Sequence, residues 1–98
     1  MKPLSLIAED ATTLRGIIAL LEEAPATHRD IIATQHVGSI TADRCCRALQ
    51  EAGIIFHPTV MRTVIGVATQ VPQLEWQLTA EYQRGEIDFD AKKLPGGA

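Results

Sequence analysis

The stretch "SITADRCCRALQEAGII", residues 39–55, reads as one helix running into a strand. Ala42, Cys45, Cys46, Leu49 and Gly53 recur at i, i+3, i+4, i+7 and i+11, so at about 100° per residue they share one stripe. Ile40, Asp43, Arg44, Arg47 and Glu51 lie on the other side. The pattern assigns both thiols to the core and both guanidinium groups to the surface. A buried cysteine behaves as a small hydrophobe. Neighbouring cysteines on a helix point in different directions, so no ordinary disulfide framework follows and a reducing, cytoplasmic setting is expected.

Two more helices precede this one. In "TTLRGIIALLEEAP", Leu14, Ile17, Ile18 and Leu21 form an amphipathic stripe, with Asp10, Thr12 or Thr13 as cap and Pro25 as stop. "ATHRDIIATQHVG" restarts the pattern: Thr27 and Asp30 have capping-box spacing, and Ile31, Ile32 and Val37 supply a buried side. Gly38 falls where the chain turns sharply, a place where glycine accepts a positive φ. Ser39 or Thr41 can then cap the helix of the opening quotation.

After Gly53 the character changes. "IIFHPTVMRTVIGVATQ" is rich in β-branched residues and holds Pro58 and Gly66, which favours two short strands and a loop. The rival reading of 59–70 is a helix, with Val60, Met61, Val64, Ile65 and Ala68 as its stripe. "VPQLEWQLTAEYQRG" reads as a further helix over 72–84, opened by Pro72 and closed by Gly85. Leu74, Leu78 and Tyr82 line one face of it, and Trp76 and Ala80 another. The expected domain spans 1–85, with 86–98 as a flexible tail.

The 98 residues carry a net charge of −3 and are 46% apolar, which suits one soluble globular domain. The middle segment, 36–65, holds three basic and two acidic groups between flanks of three and five each. No apolar run is long enough to span a bilayer, and "MKPLSLIAEDATTL" lacks the features of a secretory signal. No phosphate-binding glycine loop, nucleophile arrangement or carboxylate pair marks an active site, so an enzyme is not expected. His28, His36, His57, Cys45 and Cys46 are possible metal donors, but their spacing matches no structural-zinc pattern, and neither metal nor cofactor is expected.

"THRDIIATQHVGSITADRCCRALQEAGII" resembles the helix-turn-helix core of winged-helix DNA-binding proteins, closing on "RALQEAGII" before the first wing strand. The resemblance covers roughly residues 12 to 70 and rests on apolar spacing and two glycines. It implies a mainly α fold with a small β-hairpin: a three-helix core, a wing and a C-terminal helix. It also implies that a recognition helix at about 39–52 enters the major groove of duplex DNA and regulates transcription. Carried over by position, the contacts would be Ser39, Ile40, Thr41, Asp43, Arg44 and Arg47, with His57 and Arg62 by the wing and Arg29 on the preceding helix. Arg44 and Arg47 are three apart, so both forks could reach one groove, where arginine pairs with guanine edges and phosphates.

A simpler reading of each arginine is a solvated helix face neutralised by Asp43 and Glu51. The acidic chain and the short basic arc imply weak binding by one protomer. A homodimer through Leu74, Trp76, Leu78, Ala80 and Tyr82 of the C-terminal helix would double the footprint. The alternative is a winged-helix module, of phage or mobile-element type, that binds a protein and not DNA. Ile40 at the centre of the exposed face favours that alternative.

Overall fold

The computed structural model describes residues 10–66 and 68–89. Helix α1 (Asp10–Glu23) buries Leu14, Ile17, Ile18 and Leu21, the stripe that the spacing selects. Helix α2 (His28–Gln35) opens on a complete capping box. The Asp30 N–H donates to Thr27 Oγ1 at 3.2 Å, and the Thr27 N–H to Asp30 Oδ2 at 3.0 Å. Helix α3 (Ser39–Glu51) buries Ala42, Cys45, Cys46, Ala48 and Leu49 against α1 and α2. Both thiols therefore lie in the core, as the helical period requires.

Two local expectations are corrected between α2 and α3. The left-handed residue is His36, at φ 55° and ψ 44°, while Gly38 sits in extended backbone at φ −76°. Neither Ser39 nor Thr41 caps α3. Its N-cap is Gly38, and Ser39 is already helical. Ser39 instead meets His28 across the turn, with Nε2 and Oγ 3.2 Å apart. Gly53, after α3, does take the left-handed conformation (φ 79°) that releases the chain toward the strands.

Residues 55–62 and 71–78 make one antiparallel hairpin, so the strand reading of 59–62 stands. Its segments are β1 (Ile55–Phe56), β2 (Thr59–Arg62), β3 (Val71–Leu74) and β4 (Gln77–Leu78). Ile55 faces Leu78 at the root and Arg62 faces Val71 at the far end, with one constant offset throughout. At the root the other edge also pairs. The Trp76 N–H donates to the Ala26 carbonyl at 2.7 Å, and the Ala26 N–H to the Trp76 carbonyl at 3.2 Å.

The expected helix over 72–84 is replaced by strand as far as Leu78, and only α4 (Ala80–Gln83) is helical. Leu74, Trp76 and Leu78 are two apart and fall on one side of a strand, a period that a spacing of four cannot distinguish from a helix. Trp76 is 4% exposed and Leu78 is buried, both within this chain's own core. Leu74 is exposed on the hairpin, Ala80 is exposed, and Tyr82 packs half-buried against the core. The helical face assigned to a dimer contact is therefore absent as a single surface.

The tail boundary also moves. Ile87 and Phe89 pack half-buried on the core, and a Cβ at Gly53 would stand 3.0 Å from Ile87 Cδ1. The rest of the expected tail lies outside the described residues, as does most of "LSLIAED". The architecture is a small mixed α/β domain of four helices and one antiparallel hairpin among the described residues. None of those helices is long and apolar enough to cross a membrane.

Candidate nucleic-acid interface

The outer face of α3 presents Ile40, Asp43, Arg47 and Gln50, all exposed, with Ile40 at 82%. Thr41 and Arg44 stand half-buried at its side. The start of α2 lies beside this face, joined to it by the His28–Ser39 contact, and brings Arg29 to the surface. Helix α3 and the hairpin root enclose a cleft of about 420 Å³ lined by His28, Asp43, Arg47, Gln50, His57 and Trp76. His57 is stacked on Trp76 with ring centroids 3.8 Å apart and planes 6° from parallel. It is thus at the hairpin root and not near the tip. Burial, followed by the charge of His28, holds its imidazole below the ordinary histidine value.

Arg44 does not face outward. Its Nε and Nη2 donate to Asp10 Oδ2 and Oδ1 at 2.9 Å and 3.0 Å, and Asp10 is buried at the start of α1. This hydrogen bonding raises the Arg44 pKa against the opposing effect of burial. Arg44 is thereby a clamp between α1 and α3, because a buried carboxylate needs a charged donor close by.

Arg62 is also engaged. Its Nε and Nη2 donate to Glu75 Oε2 and Oε1 at 2.6 Å and 2.5 Å, and Gln73 Nε2 adds a third bond to Oε2 at 2.7 Å. The guanidinium holds the Glu75 carboxyl below its usual range. Arg47 remains on the open face, with Nε 2.8 Å from Asp43 Oδ2 four residues earlier. Both of these side chains are largely exposed, so solvent and salt weaken the pair. Arg29 forms no ion pair with a described residue.

The expected contact set therefore divides. Ser39, Ile40, Asp43 and Arg47 share the open face of α3, with Thr41 partly covered at its margin, and Arg29 is exposed on α2 beside a cleft lined by His28, His57, Gln73 and Leu74. Arg44, His57 and Arg62 are engaged by Asp10, Trp76 and Glu75, with Arg62 still exposed on the hairpin, while Arg47 and Ser39 pair with Asp43 and His28 on the open face itself. Gln50 and His28 join the surface without having been singled out as contacts. The α3 period places Gln50 seven residues after Asp43, a signal available in the sequence. Asp10 and Glu75, which withdraw two arginines, gave no such signal, since they are 34 and 13 residues from their partners.

Cys45 and Cys46 are fully buried, and burial pushes their thiols up to about 11 and about 12. Among the described residues, no three His, Cys, Asp or Glu side chains come together as a metal site. No family model, curated protein or solved structure matches the chain.

Proposed function

We propose that this chain is a winged-helix module that binds duplex DNA through the outer face of α3 and acts in transcription regulation. The observation that carries this reading is the corner made by α2 and α3. The His28–Ser39 contact sets the starts of both helices beside an α3 face of Ile40, Asp43, Arg47 and Gln50 that the rest of the fold leaves uncovered. The order α1, α2, α3, hairpin, with Ala26 as a short third pairing on Trp76, supports the winged-helix assignment.

On this reading Gln50 reaches an adenine edge, and Arg47 reaches a guanine edge and the phosphate beside it. Ser39 and Arg29 meet phosphates near helix N-termini. Ile40 packs on a thymine methyl. With Arg44 and Arg62 each paired to a carboxylate, one protomer offers few unpaired cations, so its affinity is low and falls with salt.

The direct test is fluorescence anisotropy with random duplex at low salt, followed by selection of bound sequences from that pool. Binding that Arg47→Ala or Arg29→Ala weakens supports the reading. Folded protein with no measurable duplex affinity overturns it.

A second reading, a protein-binding winged helix, is favoured by the character of the hairpin. Met61, Val64, Ile65 and Leu74 are exposed there, and its arginine is neutralised by Glu75. A wing that clamps phosphates would present free cations. Loss of all duplex binding gives precedence to this second reading.

A further inference from the structure

Among the described residues, the hairpin has one blocked edge and one open edge. The Glu75 N–H donates to the Pro58 carbonyl at 3.1 Å. Antiparallel ladders alternate bonded and non-bonded pairs. With the constant register, Val60–Gln73 and Arg62–Val71 are then bonded pairs as well. The main-chain groups of Thr59 and Met61 must therefore point away from β3. On β3–β4 the corresponding outward positions are Pro72, Leu74 and Trp76. Trp76 is occupied by Ala26, and Pro72 has no N–H to offer. The β2 edge has neither protection.

Proteins usually guard such an edge with charge, proline or a covering segment. The only charged residue on β2 is Arg62, and its guanidinium is drawn across the hairpin to Glu75. Cross-strand pairs share a face, so Thr59, Met61, Pro72 and Leu74 lie on one side. Met61 and Leu74 are 53% and 54% exposed there.

We propose that β2 pairs edge to edge with β2 of a second copy of this chain, antiparallel about a twofold axis at Val60. Thr59 of each copy then exchanges main-chain bonds with Met61 of the other. The Met61 and Leu74 side chains stay on one face and merge into a continuous apolar strip. The same register sets Phe56 of one copy beside Val64 of the other, and both are exposed in the single chain. Arg62 falls opposite Pro58, so no like charges meet. This fit of apolar to apolar, in a register that backbone parity permits, selects a second copy as the occupant.

Val60→Cys tests the arrangement. Directly opposed Cβ atoms in a non-bonded pair are about 4.5–5.5 Å apart, close enough for a disulfide after slight adjustment. The native cysteines are buried and do not compete. Mild oxidation should give a covalent dimer of Val60→Cys, while Gln50→Cys, exposed on α3, should stay single. Sedimentation of the unmodified chain without DNA should show twice the chain mass. Met61→Pro removes an outward N–H that the hairpin does not use, and Met61→Lys places like charges on the shared strip. Each should return the mass to that of one chain with the circular dichroism spectrum preserved. A wild-type chain that is monomeric at every concentration overturns the proposal, as does a dimer that Met61→Lys leaves intact. Neither result bears on duplex binding, which is measured separately.

Discussion

Arg44 grips Asp10 through two parallel hydrogen bonds, and this clasp ties the middle of α3 to the start of α1. Its guanidinium stabilises a buried carboxylate through Nε and Nη2. Arg44→Ala should therefore lower stability by about 2 kcal/mol, the scale of hydrogen bonds to a charged group. Arg47→Ala, on an exposed pair, should change it by less than about 0.5 kcal/mol. Urea unfolding of the two variants provides the comparison. Equal midpoints would show that the clasp contributes nothing.

The α3 stripe was legible because burial follows the helical period strictly: Ala42, Cys45, Cys46 and Leu49 are all inside. The capping box at Thr27 was legible for a similar local reason. Arg44 was not, since its fate depends on a carboxylate far away in the chain. "VPQLEWQL" was misread because Leu74 and Leu78 satisfy periods of both two and nearly four. Trp76, midway between them and buried, was the residue that distinguished strand from helix. The α3 period placed Ile40, Asp43 and Arg47 on the exposed side, where they lie; it placed Arg44 there too, but Asp10 draws that side chain toward α1.

Glu75 binds Arg62 and Gln73 in the folded state and so keeps a depressed pKa despite its burial. Its folded-state pKa is below the unfolded value, so its contribution is present above about pH 4.3 and is lost as pH falls through the carboxylate range. Glu75→Gln should flatten that acid limb of the stability curve. It should also free Arg62, so duplex affinity at low salt should rise. Anisotropy titrations at several salt concentrations read this as a slope steeper by about one ion.

His57 shows the opposite charge type with the same direction of pH dependence. Its folded-state pKa is lowered, so the unfolded chain takes up a proton that the folded chain resists. Stability is full above about pH 6.5 and declines as pH drops toward the lowered folded value, below which the loss is complete. His57→Phe keeps a ring over Trp76 and should remove this decline. Urea midpoints across the neutral to mildly acidic range measure it, and an unchanged pH profile in the variant would contradict the assignment.

Cys45 and Cys46 are held as thiols at neutral pH by burial, with pKa values of about 11 and about 12. The thiolate is the reactive form. Alkylation by iodoacetamide should be slow in the native protein and rapid in urea, read by mass spectrometry as two additions. Rapid native labelling at either position would place a thiol at the surface and disrupt the α3 stripe.

The duplex-binding claim is tested most directly by the salt dependence of binding for the wild-type chain and for Arg47→Ala, each checked for an unchanged urea midpoint. Loss of one phosphate-competent cation should weaken binding and reduce the slope of log affinity against log salt by about one. Identical affinities and slopes for the two proteins would contradict a role for the outer face of α3, and so would an absence of binding by the folded wild-type chain at low salt.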